Sequence, residues 1–270
     1  MKKIKISHEV PFCLLEKSRE FNDYDYCLPH LMDENEEYRN FFYKSKKMGR
    51  YIVMDNSLHE LGEAYNTERL LHWVNEIKPN EFIVPDVWED KNASVRNAKQ
   101  WSKIELPEGV MKVAVVQAKS LHEAILCTVA YKDLGYEKIA YSYGASYYND
   151  ICPHPNKDLG KAIGRFIAIS SLYEQNILSK SDRVHLLGTA SPIEFGMYKN
   201  IDCIESIDTS NPIMAAIELN QYNDLGLFPK PKTNMNSCQD MKIKDTFFNP
   251  TMFYSILEHN VKMFREINGL

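Results

Sequence analysis

Five polar residues in this chain each end a short apolar run. Asp55 follows Tyr51-Ile52-Val53-Met54, Asp86 follows Phe82-Ile83-Val84-Pro85, and Gln117 follows Val113-Ala114-Val115-Val116. Ser142 follows Lys138-Ile139-Ala140-Tyr141, and Asp208 follows Ile204-Glu205-Ser206-Ile207. In a parallel barrel the side chains at the C-terminal strand ends converge on one mouth, so these residues would share one site. Any one of Asp55, Asp86 or Asp208 is equally well explained as a helix N-cap. Three of them together with Gln117 are harder to explain as caps. Two carboxylates facing a sugar can divide labour, one attacking or stabilising the anomeric carbon and the other moving a proton. A further Asp and a Gln can pair with the donor and acceptor edge of a purine-like base. The chemistry suggested is cleavage of a glycosidic bond beside a heterocycle.

The elements that must position these residues read as βα units, because short apolar runs alternate with longer amphipathic stretches. Ile4-Lys5-Ile6 reads as a first strand and residues 32–49 as a helix leading to the strand at 51–54. Asn66-Thr67-Glu68 opens a helix with Leu70, Leu71 and Val74 on one face, ended by Lys78-Pro79-Asn80 before the strand at 82–84. Residues 91–103 are helical before a strand at 112–116. Ser120-Leu121-His122-Glu123 is a capping box for a helix closed by Gly135, and a strand at 138–142 follows. A long helix at 158–179 precedes the strand Val184-His185-Leu186-Leu187. Pro192-Ile193-Glu194 begins a short helix, Asp202 to Ile207 is a strand, and 212–220 is helical. Residues 221–245, with Pro229, Pro231, Asn234 and Asn236, read as a long loop before a closing helix at 250–267. Seven recognisable strands fall one or two short of a (β/α)8 TIM-like barrel, which predicts an irregular or incomplete barrel. A doubly wound open sheet uses the same units and is the alternative.

Composition bounds the rest. At 270 residues and 44% hydrophobic, with 16 Tyr and 12 Phe, the chain can bury a large core and is read as one domain over 1–270. Its formal charge of −5 argues against a general nucleic-acid coat but allows a local basic face. Lys44, Lys46, Lys47 and Arg50 form one basic cluster, and Lys230, Lys232, Lys242 and Lys244 another. The six cysteines (Cys13, Cys27, Cys127, Cys152, Cys203, Cys238) show no pairing rhythm and fit reduced thiols. Met1-Lys2-Lys3-Ile4-Lys5-Ile6 lacks the apolar stretch of a signal peptide, and no run approaches the roughly 18 apolar residues of a membrane span. The expectation is a soluble cytoplasmic protein without a membrane partner.

Six segments, in order, resemble the tRNA-guanine transglycosylase superfamily. Met54-Asp55-Asn56-Ser57-Leu58-His59-Glu60-Leu61 resembles its Asp-Ser-Gly-Gly-Phe-Gln segment, and Val84-Pro85-Asp86 its base-reading Asp segment. Val115-Val116-Gln117 is similar to its Ile-Val-Gln-Gly strand end, and Tyr136 to Ala145 to its Gly-Gly-Leu-Ala strand. His185-Leu186-Leu187-Gly188-Thr189-Ala190-Ser191-Pro192 resembles Tyr-Leu-Met-Gly-Val-Gly-Thr-Pro. The stretch from Asp202 to Ser210 resembles the strand that delivers the nucleophilic Asp. Each segment is weak alone, while the ordered set, from about residue 51 to 212, is specific.

The resemblance implies that Asp208 attacks C1′ and forms a glycosyl-enzyme as guanine leaves, with Asp55 as the general acid/base. It implies that Asp86 and Gln117 read the base edge, helped by backbone around Ser142, Tyr143 and Gly144. His59 takes the place of a stacking aromatic, and Leu187, beside Gly188, that of the apolar residue on the other base face. As plain alternatives, His59 is an exposed loop residue and Leu187 is core. Ser142 and Tyr143 replace glycines, which reshapes the pocket. Thr209-Ser210-Asn211-Pro212 lacks the arginines that hold tRNA, and the C-terminal zinc cysteines are missing, since Cys238 stands alone and His259 cannot complete a site. These departures point to the short zinc-free phage relatives that exchange guanine for a 7-deazaguanine in DNA. The partners implied are DNA (or tRNA) and a free 7-deazaguanine base, with no cofactor and no metal; a homodimer is permitted.

Other readings stand beside this one. Gly188 can form a phosphate nest for a small phosphorylated metabolite, or simply a turn. A free nucleotide can be the glycosyl donor, or the chain can be a non-catalytic base-binding partner subunit, although two facing carboxylates argue against the latter. Cys152-Pro153-His154-Pro155 reads as a rigid loop rather than a metal pair. Trp73 and Trp101 read as packing residues, and Trp88, two residues past Asp86, as a candidate for the mouth.

Overall fold

A computed structural model describes residues 4–189, 191–227 and 230–270. The basic residues 1–3, Ala190 of the 185–192 segment, and Phe228 and Pro229 of the tail lie outside the described residues. The strands are β1 (Lys5–Ser7), β2 (Asp25–Cys27), β3 (Ile52–Met54), β4 (Glu81–Ile83), β5 (Met111–Val116), β6 (Lys138–Ser142), β7 (Arg183–Leu187) and β8 (Ile204–Asp208). All pair in parallel, in the order β1-β8-β7-β6-β5-β4-β3-β2, with helices between them. This is a nearly closed (β/α)8 barrel. The strand the sequence did not reveal is β2, three residues long and starting on Asp25.

β1 and β2, the two ends of the strand order, meet through three side-chain bonds and one backbone bond instead of a ladder. Asn22 Nδ2 donates to His8 O at 2.9 Å while its Oδ1 accepts from His8 N at 2.7 Å. Asp23 N donates to Ile6 O at 2.9 Å and Asp23 Oδ2 accepts from Ile6 N at 2.9 Å. An amide and a carboxylate thus satisfy backbone groups that a neighbouring strand would have satisfied.

Period-two alternation sends every second side chain of each strand inward. The interior has three levels. At the N-terminal strand ends, Lys138, Glu81, Arg183 and Tyr51 form a polar floor, with Lys138 Nζ 2.8 Å from Glu81 and Tyr51 donating to Glu81 at 2.6 Å. Above it, Tyr24, Val53, Ile83, Val113, Val115 and Ala140 pack as a small apolar layer. The C-terminal strand ends carry the polar mouth. A much larger apolar shell, including Leu70, Trp73, Trp101, Ile169, Phe253 and Phe264, lies between strands and helices.

Local chemistry accounts for the helix bounds. Asn66 caps Thr67–Ile77 through Glu68 N and Arg69 N, and Ser120 caps Leu121–Asp133 through Glu123 N at 3.2 Å. The expected helix at 32–49 is two helices, Pro29–Glu34 and Glu36–Lys47, because extended Asn35 turns its side chain to cap the second on Tyr38 N. The long helix is Lys157–Glu174, and the stretch after Ile193 is a 3-10 helix, Glu194–Asn200. The tail expected as loop contains two short turns of helix, Met235–Ser237 and Ile243–Thr246, before Pro250–Asn268. No described helix is long and apolar enough to cross a membrane.

Asn22→Ala removes two of the three side-chain bonds across the seam and takes from His8 N–H and C=O their Asn22 partners. It should lower unfolding free energy by about 2–4 kcal/mol, read from urea unfolding; an unchanged midpoint would show that the seam contributes nothing.

Candidate active site

The mouth holds a cavity of about 400 Å³ whose walls include Asp55, Asp86, Gln117, Ser142, Leu187 and Asp208. The expected residues His59, Tyr143 and Gly188 line it as well. Gly144 does not; it lies beneath the Trp88 indole, which a Cβ there would meet at 2.2 Å. Its part is to let Trp88 fold over the rim.

Asp208, the last residue of β8, is buried. Its Oδ1 is 2.9 Å from His185 Nε2, and the Gly188 amide donates to both carboxylate oxygens at 3.3 Å. Gly188 sits at φ +60°, and a Cβ there would strike the Tyr143 ring at 2.4 Å, so both conformation and packing require glycine. The amide that a phosphate nest would offer therefore already faces an Asp carboxylate. That corrects the phosphate reading of Gly188, because a second anion there would be repelled.

Arg165 fixes this loop. Wholly buried, it donates to Tyr141 O at 3.1 Å, Leu187 O at 2.8 Å and Gly188 O at 2.7 Å, and pairs with buried Glu194 at 2.5 Å.

Asp55 is held differently. Its carboxylate accepts from Ser57 N at 3.2 Å, and the Asn56 backbone also bonds it, without a side-chain donor among the described residues. Burial, followed by the charge of Glu60, pushes it well above the usual carboxylate range, with Asp86 and Asp208 adding to the rise. Glu60 is pushed up to about 7, by burial first and then by Asp208. Glu9, two residues past β1, is raised by burial and then by Glu60, Asp208 and Asp55. Four carboxylates thus share one mouth, with two different fates. Asp208 is fixed by the His185 ring and the Gly188 amide, while Asp55, Glu60 and Glu9 are driven toward the protonated form.

Asp86 lies deeper and accepts from Asn56 Nδ2 and Gln117 Nε2, each at 2.6 Å. Burial raises it to about 6 against the pull of these two amides. Gln117 Oε1 accepts from Glu89 N at 3.0 Å, so its first duty is to orient Asp86. Each Asp86 oxygen keeps a lone pair for a ligand. The backbone near Ser142 is largely engaged: Tyr143 N donates to Leu187 O at 3.0 Å and Gly144 N to Ser142 Oγ at 3.2 Å. That segment offers shape more than hydrogen bonds.

At the rim stand three rings. Exposed His59 is 6.2 Å from Trp88 and 6.0 Å from Tyr143, centre to centre. Such a set suits a flat heteroaromatic ligand. Lys230 Nζ lies 4.4 Å from the Tyr143 ring centre and donates to its hydroxyl at 3.1 Å. Lys232 also lines the mouth, and Lys161 reaches Gly144 O at 3.3 Å. The other basic cluster is on the far face, at the N-terminal end of β3, where Arg50 pairs with Asp25 at 2.8 Å and Lys44 with Glu16 at 3.0 Å.

Sequence reasoning missed Glu9, Asn56, Glu60 and His185. Glu9 obeys the same strand-end rule as the others, and Glu60 lies one short helical turn past Asp55. His185 sits inside a strand and carries no sequence signal. His154 and His259 serve structure, His154 Nδ1 accepting from Asn156 N at 3.0 Å and His259 bonding Tyr222 O at 2.9 Å.

Among known proteins, no family model and no curated protein matches the chain.

Because Glu60 binds its proton more tightly folded than unfolded, its contribution to stability is full below about pH 4.5 and lost as pH rises through about 7. Glu60→Gln should therefore gain stability over the wild type above pH 7, and the gap should close toward pH 4.5. Urea midpoints across this range test it; a gap independent of pH would refute the assignment.

Proposed function

We propose that this chain is a base-exchange transglycosylase that replaces guanine by a 7-deazaguanine base in DNA. The observation that carries the proposal is the unequal treatment of two carboxylates in one cavity. Asp208 is held by the Gly188 amide and by His185 Nε2 at 2.9 Å, and Asp55 is driven toward protonation by burial and by its neighbours. One is suited to attack and the other to deliver a proton.

In the proposed reaction an Asp208 oxygen bonds to C1′ as the C1′–N9 bond of guanosine breaks. Asp55 gives its proton to the departing guanine. The incoming base then returns a proton to Asp55 and attacks C1′, releasing Asp208. Asp86, oriented by Asn56 and Gln117, accepts from the donor edge of the base. His59, Trp88 and Tyr143 supply stacking surface near the entrance. The resemblance of six ordered segments to the tRNA-guanine transglycosylase superfamily supports the same roles. The target base must leave its stack to enter, at a cost of a few kcal/mol.

Lys230, Lys232 and Lys161 are the cations placed to meet a phosphate backbone. The far-side position of Lys44, Lys46, Lys47 and Arg50 favours, as a second reading, a free nucleoside or nucleotide donor. Incubation with isotopically labelled guanine or 7-deazaguanine and DNA, tRNA or a nucleotide separates the two by which product takes up label. Asp208→Asn should reduce exchange at least about 1,000-fold while base binding persists; unchanged exchange would remove Asp208 as nucleophile. Asp86→Ala should weaken base binding by about 10- to 100-fold, or about 1.5–3 kcal/mol, measured by calorimetric titration.

A further inference from the structure

We propose that His185 and Ser206 are positioning residues which aim Asp208 through a hydrogen-bond relay rooted in the buried Lys138 at the barrel floor. The part assigned to Asp208 rests on the transglycosylase reading; the relay itself does not.

Lys138 starts β6 with 1% of its side chain exposed. Its ammonium lies 2.8 Å from Glu81 Oε1, 3.4 Å from Glu205 Oε1 and 2.8 Å from Ser206 Oγ. An ammonium has three hydrogens and no lone pair, so all three contacts are donated. Ser206 Oγ therefore accepts on that side and keeps its own proton for its other neighbour, His185 Nδ1, at 2.8 Å. As a carboxylate, Asp208 can only accept, so the proton of the neutral ring sits on Nε2, 2.9 Å from Asp208 Oδ1, and Nδ1 accepts from Ser206. The lysine below and the carboxylate above together set the direction of every bond.

Backbone geometry builds this alignment. The register of β7 on β8 shifts between Val184, opposite Ile204, and His185, opposite Ser206. The irregularity sets His185 beside a hydroxyl rather than beside Glu205, which turns instead to Arg183 at 2.6 Å. Tyr26 lies nearly parallel to the imidazole, 6.3 Å away at 14°. His185 is buried, so it acts on the substrate only through Asp208.

The relay ties Oδ1, whereas among the described residues Oδ2 has only the shared Gly188 amide at 3.3 Å. Oδ2 is thus the oxygen left to bond C1′. The relay also gives Asp208 a neutral donor, so no imidazolium has to be buried there.

The test combines imidazole NMR with kinetics on the full chain. In protein labelled with 15N-histidine, the His185 signals are those absent from His185→Gln. They should show protonated Nε2 and bare Nδ1 near neutral pH; a ring protonated on Nδ1, or on both nitrogens, overturns the relay. Ser206→Ala should mix the tautomers and lower kcat about 10- to 100-fold with KM unchanged, while Ser206→Thr, which keeps the hydroxyl, restores both. His185→Gln, whose amide can still reach Asp208, should retain more kcat than His185→Phe. Ser206→Ala with wild-type spectrum and wild-type kcat overturns the proposal even if the fold is intact by thermal melting. The spectrum needs no substrate, so a wild type that exchanges no base but shows protonated Nε2 would sink the transglycosylase reading and still support the relay.

Discussion

Arg165 reaches from the helix Lys157–Glu174 into the barrel wall and grips three carbonyls at the ends of β6 and β7, with Glu194 as its counterion. Thr189 donates to the same Glu194 at 2.6 Å, so the loop after β7 closes on the ion pair that anchors it. The mouth depends on this clamp. It sets the path of Gly188, the direction of its amide, and through that amide one of the two donors on Asp208. A buried pair of this kind adds little net stability over a well-packed apolar substitute, yet losing either partner costs about 3–5 kcal/mol because a bare charge is left behind. Its value to the fold is geometric.

The mouth gathers Glu9, Asp55, Glu60 and Asp208, four carboxylates that water would leave ionised, and the barrel resolves the conflict by unequal solvation. Asp208 is met by the His185 ring and the Gly188 amide, whereas Asp55 and Glu60 have local backbone bonds that burial and mutual repulsion outweigh, driving both toward neutrality. Acid and base roles in one cavity then follow from placement and not from residue type. Asp86 is an intermediate case, buried but held by two side-chain amides, with its titration near 6.

The strand-end rule found Asp55, Asp86, Gln117, Ser142 and Asp208 because period-two strands reveal where they stop. It missed β2 because a three-residue strand beginning with Asp has no period to detect. The resemblance named backbone around Gly144 as a base contact; the structure sets the Trp88 indole against the Cβ side of that glycine. Glu9 and Glu60 were visible as letters but not as neighbours of Asp208, since Glu9 reaches it only when β1 pairs with β8, and Glu60 only across the closed mouth. The helices at 66 and 120 were legible from their caps, which are local hydrogen bonds, and the break at Asn35 was hidden among strong helix formers.

The sequence by itself determined the alternation of strands and helices and the polar strand ends. Those features depend on neighbours a few residues apart: side-chain period, caps and turn glycines. Closure into a barrel instead of an open sheet was decided by the pairing of β1 with β8. Only the tertiary structure decided which carboxylate receives donors, that Gln117 serves Asp86, and that one basic cluster lies behind the barrel. It alone joined Lys138 to Asp208 through Ser206 and His185, residues 21 to 68 positions apart along the links of that chain. The physical reason is that strength and direction of polar interactions are set by distance and burial, and residues far apart in the chain acquire both only when the barrel closes.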